Sequence, residues 1–154
     1  MKTLVSALAV AVAATLPLAG MAQDKPKHQF VTAKALKWGE SPALPGAKVA
    51  VIEGPLNEAA PFTMRIQLPA NYKIAAHSHS AIEHVTVISG EFGIAIGEKF
   101  DQKKLTKLGP GAVAIMQPKT PHYVLTTKPT EIQVHGVGPW TLAFVNPKDD
   151  PRKQ

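Results

Sequence analysis

The chain of 154 residues contains no cysteine, few aromatic residues and only two arginines. The absence of cysteine excludes disulfide bonds, thiolate metal ligands and a lipid anchor attached through cysteine. Lysines carry most of the positive charge, but they are scattered and form no basic stripe with interleaved aromatic residues, so we expect no nucleic-acid partner. The formal net charge of +6 instead favours small anionic ligands.

The first 22 residues differ from the rest of the chain. Lys2 precedes an apolar run from Leu4 to Ala19, and Gly20, Met21 and Ala22 follow it. A positive start, a short apolar run and small residues before a cut are typical of a secretory signal peptide, and the run is short for a membrane span. We expect residues 1–22 to be removed from a periplasmic or secreted protein that then has no membrane contact; the alternative is a buried N-terminal helix.

The remaining chain has the composition of an all-β protein. Residues 23–46 are rich in Lys, Pro and Gly and predict an extended arm with one short strand near 30–36. Residues 47–145 consist of short runs rich in Val, Ile, Thr and Phe between turn residues, which favours a sandwich or a barrel. The 14 prolines make long helices improbable, so the helical candidate at 99–108 would be a turn or two. Residues 146–154 form a polar tail.

The segment "HSHSAIEHVTVISG" groups three histidines and a glutamate. Alternate side chains of a strand share a face, so His77, His79 and Glu83 converge, and Glu83 stays close even if the chain bends between them. The same alternation directs His84 away. His122 begins a later strand, and an antiparallel neighbour would bring it within reach. Imidazoles and a carboxylate together match a divalent metal; the alternative is a set of unrelated surface or core histidines.

The spacing of these residues resembles the first motif of the cupin family. That motif is Gly, five residues, His-x-His, three or four residues, Glu, six residues and Gly. His77, His79, Glu83 and Gly90 occupy the matching positions, and Asn71 stands in place of the leading glycine. Asn also tolerates a positive φ, so the turn can survive the replacement.

The second cupin motif is matched in part. It reads Gly, five residues, Pro-x-Gly, two residues, His, three residues and Asn. Gly111 and His122 keep that spacing, whereas Gln117, Lys119 and Thr126 replace the usual Pro, Gly and Asn. The resemblance covers about residues 47–145 and implies a jelly-roll β-barrel domain. It further implies one divalent metal ion bound in the barrel by His77, His79, Glu83 and His122.

The resemblance leaves the chemistry open. Three neutral imidazoles and one carboxylate leave about one net positive charge on a divalent ion, which favours a chelating anionic oxygen ligand. The ion could be zinc, copper, nickel, iron or manganese. The first hypothesis is a metal-dependent dioxygenase, lyase or isomerase acting on a small oxyanion, with no catalytic residue assigned. The second is a non-enzymatic protein that binds metal or a small ligand, and the third is a metal that only stabilises the fold.

Two further features yield weaker expectations. Gln133 and His135 share one face of the segment "EIQVHGVG", and they would contact the substrate if that face points into the barrel; the alternative is an exposed or hydrogen-bonded histidine. The short edge strands of a jelly roll need protection, which predicts a homodimer. The arm before residue 47 and the strand around Trp140 are the candidate contacts.

Overall fold

The computed structural model describes residues 28–154, in which Val31–Gln154 form one compact unit. The expected signal peptide, residues 1–22, lies outside the described residues. No helix in residues 28–154 is long and apolar enough to cross a membrane.

Two antiparallel β-sheets make up this unit. One sheet has six strands in the order β1-β2-β3-β10-β5-β8, and the other has five in the order β11-β4-β9-β6-β7. The all-β prediction is therefore confirmed. The strands found in residues 28–154 are β1 (Gly39–Glu40), β2 (Lys48–Glu53), β3 (Pro61–Leu68), β4 (Lys73–His79), β5 (Glu83–Ser89), β6 (Phe92–Ile96), β7 (Thr106–Leu108), β8 (Val113–Met116), β9 (His122–Thr126), β10 (Thr130–Val137) and β11 (Leu142–Phe144).

The core lies between the two sheets. Alternate residues of β3, from Phe62 to Leu68, are buried, and so are Val85 and Val87 on β5 and Ile132 and Val134 on β10. Burying each large apolar side chain contributes about 1.5–3 kcal/mol, so this alternation fixes which face of each strand points inward.

Short 3-10 turns occupy two segments, one where a strand was expected and one where a helical turn or two was expected. The strand expected near 30–36 is wrong: Ala33–Ala35 form a 3-10 turn, because Ala and Lys favour helical backbone there, and the arm's strand is β1, which pairs with β2. The helical candidate at 99–108 contains a single turn, Gln102–Lys104, before β7 begins. The Asp101 side chain accepts a hydrogen bond from the Lys103 backbone N–H at its start.

The turn positions of the two motifs keep their backbone conformation despite the replaced residues. Asn71 and Lys119 have φ of 56° and 60°, the left-handed region that glycine adopts most easily. Thr126, in place of Asn, is fully buried, and its hydroxyl donates to the Pro69 carbonyl at 2.7 Å while accepting from the Tyr72 N–H at 3.2 Å. The changed residues therefore still close the turns beside β4 and β9.

The polar tail packs against β11. Residues Pro147–Asp149 and Pro151–Lys153 form two 3-10 turns. The Asp150 carboxylate is buried and accepts hydrogen bonds from the Arg152 guanidinium, which also donates to the Leu142 carbonyl at 3.0 Å. These contacts attach the tail to the edge strand that follows Trp140.

Candidate metal centre

The four predicted metal ligands converge between the two sheets. His77 and His122 lie directly opposite each other on the paired strands β4 and β9. His79 ends β4, the chain turns through residues 80–82, and Glu83 begins β5 in the other sheet. The chain therefore bends between His79 and Glu83, and the carboxylate approaches the imidazoles from the opposite sheet.

A register shift in β4 directs the histidines inward. The pairing of β4 with β9 is irregular between Ile74 and His77, and both of these residues line the interior although they are three positions apart. A bulge of this kind re-aims the following side chains. It lets Ile74 pack in the core while His77 and His79 face the centre.

The three imidazoles form a compact cluster. Their nitrogen ligand atoms lie within 4.8 Å of one another, the one group of three or more metal-ligating side chains at this spacing in residues 28–154. The Glu83 carboxylate Oε2 lies 3.4 Å from His79 Nε2 and 3.6 Å from His122 Nε2. All four residues are at most 6% exposed. The cluster is thus enclosed, and Glu83 faces two of its three rings.

Backbone carbonyls orient all three rings. The Nδ1 atoms of His77, His79 and His122 lie 2.7, 2.9 and 3.0 Å from the carbonyl oxygens of Ala75, Thr141 and Thr120. A carbonyl oxygen can only accept a hydrogen bond, so each Nδ1 must donate it and carries the proton. Each Nε2 therefore keeps a free lone pair.

His79 Nε2 is buried without a hydrogen-bond partner. Hydrogen bonds from the other ring nitrogen are the usual means of holding a metal-ligating histidine in place. A buried lone pair that no protein donor occupies is what a metal ligand requires, so the donor set fits a divalent ion.

Burial decides the charge state of the cluster. It lowers the pKa of His77 and of His79 to about 3, with the neighbouring imidazoles adding to the effect, and it also lowers the pKa of His122. Burial raises the pKa of Glu83 to about 8. Without a metal ion, the imidazoles are therefore neutral and Glu83 is protonated at pH 7, so the contact between Glu83 and His79 is not an ion pair.

The space beside the cluster is small and otherwise apolar. The cavity has a volume of about 30 Å³, roughly the share of one water molecule in the liquid. Its walls include Ile132, Val134 and Trp140. The Trp140 indole stacks on His79, and Phe144 packs near His77 with ring centroids 6.1 Å apart. The Trp140 indole thus walls the cavity where β10 leads into β11.

The remaining predicted residues lie elsewhere. His84 lies on the opposite face of β5 from Glu83, as its position in the strand predicts. Gln133 and His135 lie on the outer face of β10: Gln133 accepts a hydrogen bond from Arg65, and His135 stacks on His84. The prediction that Gln133 and His135 contact a substrate in the barrel is therefore wrong, because Ile132 and Val134 take the inward positions of that strand.

Sequence reasoning missed the residues that support the ligands. The carbonyls of Ala75 and Thr120 lie two residues before the histidines that they orient, but only the strand geometry brings ring and carbonyl together. Thr141 is 62 positions from His79. The strand around Trp140 was expected as a dimer contact, and nothing in the sequence indicated the stack of Trp140 on His79.

Solved structures of other proteins share this architecture. The polyketide cyclase RemF from Streptomyces resistomycificus matches with a TM-score of 0.66 and 16% identity, over 82% of this chain and 92% of its own. A putative acetylacetone dioxygenase from Methylibium petroleiphilum PM1 matches with a TM-score of 0.64 and 19% identity, over 85% and 90%.

An RmlC-like cupin from Shewanella frigidimarina matches with a TM-score of 0.57 and 11% identity, over 79% of this chain and 96% of its own. The chain has the cupin fold. The sequence matches no protein-family model and no curated protein. The cupin architecture therefore confirms the jelly-roll prediction, and at these identities the likeness shows the fold alone.

Proposed function

We propose that this cupin binds one divalent metal ion between its sheets and uses it in an enzymatic reaction on a small oxyanionic substrate, outside the cytoplasm. The ligands would be His77, His79, Glu83 and His122. The observation that carries the proposal is the shared orientation of the three imidazoles: each Nδ1 is held by a carbonyl, which leaves three Nε2 lone pairs for one ion.

The residues of the chain would do most of the preparation. A bound divalent ion supplies Lewis-acid polarisation of a substrate oxygen and an open coordination position. Glu83 adds one negative charge, so the metal centre keeps about one positive charge and favours an anionic chelating ligand. The apolar walls, among them Val134 and Trp140, exclude water around that charge, which strengthens its interaction with a bound anion.

The size of the cavity favours a small substrate. A volume of about 30 Å³ is far below the roughly 300–1,000 Å³ of common ligand pockets. Trp140 is a wall of the cavity that is itself partly exposed. The proposal therefore limits substrates to those that fit beside the ion or enter past Trp140.

The reaction class is a dioxygenase, lyase or isomerase. Two of the structural neighbours are a polyketide cyclase and a putative acetylacetone dioxygenase by name, which supports enzyme chemistry on oxygen-rich molecules. Acetylacetone is a small diketone, the kind of chelating oxygen compound that the charge of this centre favours. A dioxygenase needs a redox-active metal, whereas a lyase or isomerase can also use zinc.

The metal would be acquired after export. A general secretory signal carries the chain across the membrane unfolded, so the barrel would form outside the cytoplasm. Affinity for nitrogen and oxygen ligands rises through the divalent series to copper, with zinc also strong. We therefore expect zinc, copper or nickel to compete well with iron or manganese for this centre.

Three assays test the proposed enzyme. The full-length chain is expressed, the periplasmic fraction is purified, and its metal content is measured by elemental mass spectrometry. The metal-loaded protein is then assayed for oxygen consumption with small diketones and screened for stabilisation by small carboxylates. We expect one metal per chain, together with either turnover or saturable stabilisation by a ligand. The Glu83→Gln variant should lose the turnover or the stabilisation. A metal-free protein that is indifferent to added ions would refute the proposal.

The small cavity also favours a second candidate, a non-enzymatic protein that binds metal or a small ligand. A centre with space for about one water molecule can hold an ion without accepting a substrate. Tight, saturable binding of metal or ligand without any product would favour this candidate. Product formation that depends on the metal would favour the enzyme.

A further inference from the structure

Two histidines outside the metal centre form a stacked pair on the outer face of the six-stranded sheet. His84 on β5 and His135 on β10 lie directly opposite each other. Their rings are nearly parallel, with centroids 4.9 Å apart and 7° between the planes. The proposed function uses neither residue, since both lie on the far side of the sheet from the barrel interior.

One nitrogen of this pair has no partner. His84 Nδ1 is buried and makes no hydrogen bond in the structure. A buried polar atom without a partner costs free energy, and most such atoms in folded proteins are paired with protein or with water. A ligand or a water molecule would satisfy this nitrogen.

The two rings are partly exposed although His84 Nδ1 is buried, so a cation can reach the pair from solvent. Thr63 on β3 lies opposite His135, and Ile115 on β8 lies opposite His84. The Thr63 hydroxyl donates to the Glu53 carboxylate at 3.5 Å, so this row carries an acidic group. The Arg65 cation on the same face is paired with Glu131 at 2.9 Å. Ile115 is 56% exposed, so solvent reaches the end of the row beside His84.

We propose that His84 and His135 form a second metal site, a two-imidazole chelate for a transition-metal ion such as Ni²⁺, Cu²⁺ or Zn²⁺. The nitrogen lone pairs lie in the ring planes, so the two stacked rings must tilt towards each other to bind one ion. Directly opposite residues of antiparallel strands have Cβ atoms about 4.5–5.5 Å apart, which leaves this movement within reach. Imidazole nitrogen suits these three ions. Water completes the coordination, so this site binds more weakly than the four-ligand centre.

The proposal implies two classes of bound metal on one chain. Glu83 and His84 are consecutive, and they present their side chains to opposite faces of β5. One ion would lie inside the barrel and the other on the outer surface. The second site does not depend on the proposed enzyme function, because its ligands and its solvent access are separate.

The test is equilibrium dialysis of the full-length protein against Ni²⁺ in excess, followed by elemental analysis. We expect His84→Ala and His135→Ala each to bind one nickel per chain fewer than the unchanged protein. His28→Ala is the matched control, because it removes an exposed histidine that is distant from His84 and His135 in the sequence. It should bind as much nickel as the unchanged protein. Circular dichroism checks that each variant is folded.

The comparison is a difference between variants, so it holds whether or not the interior centre takes up nickel. If His84→Ala fails to fold, His135→Ala decides the outcome. A Cu²⁺ titration adds a spectroscopic check: paramagnetic resonance of the second equivalent should show nitrogen ligation, lost in His135→Ala. Unchanged nickel content in the folded His135→Ala variant would overturn the second site.

Discussion

The indole of Trp140 lies parallel to the imidazole of His79, with ring centroids 4.3 Å apart and 13° between the planes. The next residue, Thr141, accepts the hydrogen bond from His79 Nδ1 through its carbonyl. Ser80 completes the contact: its hydroxyl donates to the Pro139 carbonyl at 2.8 Å and accepts from the Thr141 N–H at 2.9 Å. The segment between β10 and β11 therefore holds the His79 imidazole on one face and at one edge.

The stack makes Trp140 an optical reporter of the metal centre. One equivalent of Cu²⁺, a paramagnetic ion, should quench the Trp140 fluorescence because the ring rests on a ligand of the ion. The chain has one other tryptophan, Trp38. We expect Trp38→Phe to keep the quenching and Trp140→Phe to lose it, measured by emission during a copper titration. Equal quenching in both variants would place the bound copper away from His79.

Removing a ligand tests the cluster directly. His79→Ala should lower metal affinity by at least the roughly tenfold to hundredfold typical for changes to groups that support a ligand, while leaving a folded and less stable barrel. The measurement is metal content per chain after gel filtration in metal-free buffer. His84→Ala is the control and should retain the interior metal under these conditions. Unchanged metal content in His79→Ala would locate the site elsewhere.

Metal binding should depend on pH through Glu83. The pKa of this carboxyl is raised to about 8 by burial, so the apoprotein holds a proton there at pH 7 that a metal ion must displace. The pKa values of His77 and His79 are lowered to about 3, so these rings have no proton to release at that pH. Affinity should therefore rise about tenfold per pH unit from about 5.5 to 7.5 and level off above 8.

Calorimetry in buffers of different ionisation enthalpy measures the released proton. We expect about one proton per bound ion at pH 7. Glu83→Gln is the matched variant, because a carboxamide has no proton to lose and keeps the size of the side chain. It should bind metal more weakly and with little pH dependence. A steep pH dependence that survives in Glu83→Gln would assign the proton to another group.

The dimer remains a prediction that concerns two edges of the sheets. β1, in the arm, ends the six-stranded sheet, and β11, after Trp140, ends the five-stranded sheet. Edge strands expose unpaired backbone groups that a second copy can cover. We expect light scattering to give twice the chain mass at micromolar concentration. A mass of one chain under those conditions would contradict the homodimer.

The sequence predicted the parts of the fold that depend on local pattern. Strand alternation directed His84 away from the other ligand candidates, because side-chain direction in a strand follows position, and motif spacing brought His77 and His122 to one place. The alternation of apolar and polar residues in β10 was also enough to predict which face of this strand points inward. Ile132 and Val134 are its apolar residues, and the rule that apolar residues point inward would have placed Gln133 and His135 outside.

Other features could not be derived from local pattern. The bulge in β4 between Ile74 and His77 depends on how β9 pairs with it. His79 contacts Trp140 and Thr141, and Thr141 is 62 positions away from it in the sequence. Only the closed barrel brings these residues together. In the arm near Ala33, by contrast, a local preference was overlooked: residues that favour helical backbone form a 3-10 turn where a strand was expected.

The most direct measurement of the central claim is a crystal structure of the protein with one equivalent of zinc, using anomalous scattering to locate the ion. The account predicts one strong peak between the sheets, about 2.0–2.2 Å from the Nε2 atoms of the three histidines and from a Glu83 carboxylate oxygen, with each Nδ1 still bonded to its carbonyl. A crystal of zinc-treated protein with no peak between the sheets, or with zinc bound away from His77, His79 and His122, would contradict it.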